Sequence, residues 1–489
     1  RPPATPVDAQ TDWAPGLERI FPMDGGLVEG RYPLEAAEGA MPDYVRGSYY
    51  VNGPSRFGRA GQRQRHWLDG DGMVVALHID GPSVELVNRY VRGTKLVEEE
   101  AAGRFLYRTF GTAFDGDQLM RGIGIESPLN VSVWPFAGRL LAFGEQGLPY
   151  SLDADSLETI GLDNFGGRLN PIAPFSAHPC FPQEGGMMNF GVSFSARHPC
   201  IHLYRFDDDG ALVKRSRLHL EQPSSIHDFG ISAQHVAVYV SPHVLDIGQI
   251  MRGGRSIMES LAWRPELGST LLIADRESGE MRGSIPIGSG YCLHLINAFD
   301  DDDSNALVVD VLELDRPVYD EYEVMPDLFL DAPLGRAVRF VVDRGTWTVR
   351  EKRALGYDRT PDFPQTDPRL DQRSYDHMWM LGMAHAGKPG RKFFDQAAHL
   401  SWSGVEDVWT APEGCYLGGE PVMIPDPSSA PETRGVVLCQ LYDTRDASAP
   451  CQVSFVVFDA FDLASGPIAR LPLRHPIAPG FHACFEPRN

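Results

Sequence analysis

No stretch of the chain approaches the roughly 20 uninterrupted apolar residues of a membrane-spanning helix, and its first residues lack the basic-then-apolar pattern of a secretory signal. Both absences predict a soluble, cytoplasmic protein, although the sequence opens at Arg1 and leaves an upstream leader as an open alternative. Positive charge is scarce as well: 44 Lys and Arg face 66 Asp and Glu, a formal net charge of -22. That balance disfavours nucleic acid or anionic lipid as an electrostatic partner. Cysteine is sparse, with seven residues at 180, 200, 292, 415, 439, 451 and 484 and no Cys-x-x-Cys pair. A thiolate zinc knuckle is thereby excluded, and the odd count fits buried thiols in a reduced compartment better than a disulfide framework.

Glycine (50) and proline (39) are abundant for a helical protein. They punctuate short β-rich runs at close intervals, as in a sandwich, barrel or propeller. A chain of 489 residues usually divides into domains, large closed β folds being the main exception. Five segments share one grammar of apolar strand, acidic or Gly-containing turn and alternating strand: residues 140–160, 201–220, 270–287, 338–355 and 453–473. Without a strict repeat, such likeness is what weakly similar propeller blades look like. The Pro/Ser-rich stretch 425–431 is too short for a linker and runs straight into another strand, so the expectation is one domain over residues 1–489. Apolar spacing of three and four residues predicts helical interruptions at 98–110 and 244–262, the second weakened by Gly253 and Gly254. Such insertions would roof one face. Leu106, Phe110, Phe114, Leu119, Met120, Ile123 and Ile125, interleaved with Arg108 and Arg121, read as a greasy entrance, a membrane-dipping patch or plain core.

Chemistry concentrates in four separately framed histidine motifs: Ser176-Ala177-His178-Pro179, Ser225-Ile226-His227-Asp228-Phe229, Leu293-His294-Leu295-Ile296-Asn297-Ala298-Phe299 and Gly480-Phe481-His482. Any single histidine is more often a hydrogen-bonded core or surface residue than a ligand. Four together are another matter, because neutral imidazole is the commonest side-chain ligand for a transition metal. The gaps between them are long and unequal, so no local motif gathers them, and only a closed, many-bladed fold would.

These motifs, together with Trp67-Leu68-Asp69-Gly70-Asp71-Gly72-Met73 and Asn88-Arg89-Tyr90-Val91-Arg92, resemble the carotenoid cleavage oxygenases over nearly the whole chain. That family splits alkenes of carotenoids, apocarotenoids and some stilbenes with non-haem iron. The resemblance implies an all-β, seven-bladed propeller with Fe(2+) on its axis under a dome of helices and loops. It implies His178, His227, His294 and His482 as metal ligands. It also implies three carboxylates behind the imidazoles: Glu145 for His227, Asp362 for His294 and Glu420 for His482, with His178 lacking an acidic partner. Asp362 departs from the family's glutamate, and the shorter side chain must reach its imidazole by a backbone shift or a bridging water. Four neutral nitrogens leave a ferrous ion open positions for dioxygen, whereas a zinc site with four protein ligands would be closed, so iron is expected.

The substrate reading turns on two positions that the stilbene-cleaving branch uses to hold a phenol. Its lysine position is Gly144 here, and its tyrosine position aligns with Phe110. A buried phenolate needs such partners and a polyene does not, so the expectation is a carotenoid or apocarotenoid cleaved with O2 to two carbonyl products. The same cleavage of a stilbene or phenylpropanoid is the first alternative, and a propeller that binds or isomerises an apolar ligand without oxygen use is the second. Phe110, Trp134, Phe175 and Phe299 are the expected tunnel residues, each with core packing as its competing role. Peripheral membrane contact, oligomeric state and the scissile bond stay open.

Overall fold

The structure is a computed structural model that describes residues 14–120 and 125–488. Ile123 and Arg121 of the apolar cluster lie outside the described residues. Seven antiparallel sheets form the blades of a β-propeller, joined by two small two-stranded hairpins. The expected strand-turn-strand segments are the hairpins within blades. Cys200–Phe206 pairs with Leu212–His219, for example, and Gly335–Asp343 with Thr348–Ala354. Strands in the middle of a blade are buried on both faces, as Ala306–Leu314 is, because each face packs on a neighbouring blade. Outer strands alternate instead: Leu212–His219 exposes every second residue.

The ring closes twice. The C-terminal strand Ala483–Pro487 completes the first blade by pairing with Arg46–Pro54, and the early strand Glu38–Gly39 completes the seventh by pairing with Pro467–Pro472. The first closure fixes the end of the Gly480-Phe481-His482 motif. Gly53 and Gly480 cross there so closely that a Cβ on Gly53 would sit 2.7 Å from the Cα of Gly480. The backbone of His482 is then gripped from both sides, its N–H donating to Val131 (3.1 Å) and its carbonyl accepting from Asn52 (3.1 Å).

The roof is less helical than periodicity predicts. Its first helix spans Thr94–Ala102, starting earlier than expected, and Gly103 ends it in the left-handed conformation at φ 64°. The rest of 98–110 is irregular. Ile247–Met251 is a single short helix, stopped by Gly253 and Gly254 before the 3₁₀ turn Met258–Ser260. Among the described residues no helix is long and apolar enough to cross a membrane.

Candidate metal centre

The four histidines come from four different parts of the ring and meet at its axis. Their ligand atoms all lie within 4.8 Å of one another, and all four side chains are buried. His178 and His227 bring their Nε2 atoms to 2.8 Å. Three of the rings are held from behind. His227 Nδ1 donates to Glu145 (2.9 Å), His294 Nδ1 to Asp362 (2.5 Å) and His482 Nδ1 to Glu420 (2.6 Å). A carboxylate on Nδ1 fixes the tautomer with the lone pair on Nε2, the atom aimed at the axis. The Nε2 of His294 is buried and has no hydrogen-bond partner, as a donor atom waiting for a metal would.

Local irregularity aims these side chains. The innermost strand Tyr291–Asp301 slips register across His294 and again just after Leu295, Cys415–Pro425 slips around Glu420, and Asp362–Gln365 slips directly after Asp362. A bulge turns a side chain that regular pleating would bury between blades toward the axis instead. Asp362 shows the device most clearly. Phe363 adopts φ 56°, its N–H binds the Asp362 carboxylate at 2.7 Å, and the short side chain reaches His294 directly with no water between.

Electrostatics favour neutral imidazole at two positions. Burial, then the neighbouring histidines, holds His178 and His482 well below the usual imidazole range. His227 goes the other way: burial alone would lower it, but the Glu145 charge and hydrogen bond, with the charges of Asp228 and Asp362, together outweigh it. Burial lifts Glu420 well above the usual carboxylate range, and Asp362 and Asp228 add to it. Gln365 answers by donating to the second oxygen of Glu420 at 2.5 Å.

Two cavities adjoin the centre and share no lining residue. One, about 690 Å³, touches His178, His294 and His482 and is edged by polar groups such as Asp228, Gln365 and Asp371. The other, about 390 Å³, lies under the roof and is mostly apolar, with Phe110, Phe175, Phe190, Ile226 and Leu245 in its wall beside Glu145. Of the expected tunnel residues, Phe110 and Phe175 therefore line the apolar cavity. Trp134 lines the larger one, against Phe181. Phe299 lines neither: past the bulges of its strand it points into a core between blades, packed on Tyr375 and under the Arg339 guanidinium. The position of the missing lysine is crowded as well, since a Cβ on Gly144 would meet Ser127 Oγ at 1.9 Å.

Sequence reasoning passed over three residues. Asp228 places Oδ1 3.8 Å from His178 Nδ1 and ties the next blade by accepting from the Leu295 N–H at 2.8 Å. The Tyr319 hydroxyl stands 3.3 Å from His227 Nδ1, and Gln365 supports Glu420. Asp228 had a signal in its place beside His227. Tyr319 had none, because it comes from a 3₁₀ turn far along the chain. The signature around Trp67 proves architectural: Trp67 packs on Phe481, ring centroids 4.7 Å apart, and Asp69 caps the turn beneath the roof.

Known proteins agree with this geometry. The family model described as retinal pigment epithelial membrane protein matches residues 27–487. Apocarotenoid-15,15'-oxygenase of Synechocystis is 29% identical over 94% of each chain. Resveratrol cleavage oxygenase 1 of Aspergillus fumigatus is 28% identical over 86% of this chain and 88% of that one. Isoeugenol monooxygenase of Pseudomonas nitroreducens is 24% identical over 92% and 94%. Among solved structures, cobalt-substituted Synechocystis apocarotenoid oxygenase superposes with a TM-score of 0.86 at 25% identity, covering 98% of this chain and all of the other. The propeller, its four axial histidines and these matches together place the chain in the retinal pigment epithelial membrane protein family, that of the carotenoid cleavage oxygenases.

Proposed function

We propose that the protein is an Fe(II) dioxygenase that cleaves one double bond of a carotenoid or apocarotenoid. The single observation that carries this reading is the set of four imidazoles that converge on the axis, one of them held by Glu145, which stands in the wall of an apolar cavity. His178, His227, His294 and His482 would hold the ion through neutral nitrogens, with Glu145, Asp362 and Glu420 orienting three of the rings. A ferrous ion in such a nitrogen-only site supplies the redox chemistry that activates dioxygen.

The chain's own residues do the rest by position. Phe110, Phe175 and the roof residues exclude water from the cavity and hold an extended apolar alkene against the centre. One C=C bond and one O2 give two C=O groups, so the balance requires no acid or base. The stilbene and phenylpropanoid reading draws support from the names of two relatives. Against it stand Phe110, which carries no hydroxyl, and Gly144, which offers no side chain to hold a phenol.

The test is dioxygen uptake by ferrous-loaded protein with an apocarotenoid in one cell and a 4-hydroxystilbene in the other, products identified by mass. Uptake with the polyene and two carbonyl products is the expected result. Uptake with the stilbene alone overturns the substrate assignment, and uptake with neither overturns the reaction.

A further inference from the structure

The apolar cavity under the roof has one imidazole in its wall that the metal centre does not use. His202 lies in Cys200–Phe206, the middle strand of the third blade, and lines the same cavity as Glu145 and Phe175. Its tautomer follows from its neighbours. Arg215 NH2 stands 3.3 Å from His202 Nδ1, and a guanidinium has donors only, so Nδ1 must accept. Arg215 is itself steadied over the Tyr204 ring at 5.4 Å. The proton then sits on Nε2. Burial, followed by the charges of Arg215 and Arg217, pushes the ring down to about 4 and keeps it neutral at physiological pH.

Nε2–H has only a weak partner, the Cys200 sulfur at 3.7 Å. A thioether or thiol sulfur is a poor acceptor beside a carbonyl or hydroxyl oxygen. Space beside the ring is set by the register. His202 pairs across the ladder with Gly191, where a side chain would strike the Pro174 carbonyl at 2.0 Å, so the facing wall is backbone. Arg215 belongs to the exposed outer strand of the blade, which puts the His202 side of the cavity toward the surface and the Glu145 side against the metal centre.

We infer that His202 is a specificity residue: its Nε2–H receives an oxygen at the outer end of the substrate, so the site selects a polyene with a terminal carbonyl or hydroxyl over a hydrocarbon of equal length. The inference rests on the proposed cleavage of an apolar alkene and adds the orientation, with the oxygen-bearing end outward and the scissile bond at the centre. It also separates apocarotenoid from carotene. A buried donor left without an oxygen is unfavourable, and one satisfied hydrogen bond changes binding by about tenfold.

The experiment compares the wild type with His202→Phe, which keeps shape and loses the donor, and His202→Gln, which keeps a donor. Three probes of equal chain length are used: a polyene aldehyde, the corresponding alcohol and the hydrocarbon. Equilibrium binding to metal-free protein is read first, then kcat/KM of the ferrous-loaded enzyme. The preference of the wild type for aldehyde or alcohol over hydrocarbon should fall about tenfold in His202→Phe and return in His202→Gln. Preference for only one of the two oxygenated probes would assign carbonyl or hydroxyl as the native group. A preference unchanged in His202→Phe, with all three probes weakened in parallel, overturns the inference and marks His202 as structural. Binding without any dioxygen uptake would overturn the proposed reaction while the binding ratio still decides the role of His202.

Discussion

His178 differs from His227, His294 and His482 in what stands behind its ring. The three have a carboxylate within 2.9 Å of Nδ1, whereas the carboxylate nearest His178 Nδ1, that of Asp228, is 3.8 Å away. That is beyond hydrogen-bond length. The oxygens of Asp228 are already engaged, accepting from the N–H groups of Phe229 and Leu295. His178 is positioned instead by its own loop: its N–H binds the Ser176 hydroxyl at 3.0 Å, and that hydroxyl donates to the buried Asn189. Three rings are therefore oriented by a carboxylate, and one by the hydrogen bonds of its own loop. The three carboxylate–imidazole pairs join the second blade to the loop before the fourth, the fifth blade to the sixth, and the seventh to the C-terminal segment.

Substitutions can break this contrast in order of size. His294→Ala removes a donor whose Nε2 is aimed at the axis, and the expected outcome is loss of both iron retention and turnover, read by metal content and oxygen uptake. Glu145→Gln keeps the shape and removes the charge behind His227, and iron affinity should drop about 10- to 100-fold in a chelator competition. Asp362→Ala should weaken retention less, since Phe363 and the bulge keep His294 in place. Asp228→Asn should leave iron affinity nearest to wild type while costing about 1 kcal/mol of stability in thermal unfolding, because one amide N–H then faces a backbone donor. If Asp228→Asn lost iron as readily as Glu145→Gln, the contrast would fail.

A separate, pH-dependent effect concerns the roof. His66 is fully buried, its Nδ1 accepting from Leu68 and its Nε2 bonded to the Tyr319 carbonyl, and burial lowers it from 6.5 to about 4. A group depressed in the folded state contributes stability that is present above its unfolded value and is lost as pH falls. Between pH 6.5 and 4 the wild type should thus lose on the order of 3 kcal/mol that His66→Gln never had. Thermal unfolding at several pH values checks it: the stability gap between the two proteins should narrow on acidification.

Much of this could be read from the residues. Punctuated β runs signalled blades, and the four histidine motifs, with the carboxylates that family resemblance attaches to them, are the residues that meet at the axis. Two kinds of information were hidden. Bulges at His294, Asp362 and Glu420 depend on register with the neighbouring strand, which no local pattern encodes. For the same reason Phe299, five residues after His294, looked like a tunnel residue and lies in a core between blades. Roof residues such as Tyr319 reach the centre through tertiary packing alone, and helix periodicity overestimated a roof whose glycines stop the helices early.

The central claim is a single iron held by four histidine nitrogens and no carboxylate or thiolate. X-ray absorption at the iron edge of the ferrous-loaded, substrate-free protein tests it most directly. The account predicts one iron per chain with an imidazole shell of four nitrogens; a sulfur scatterer, or a shell with fewer than four imidazoles, would contradict it.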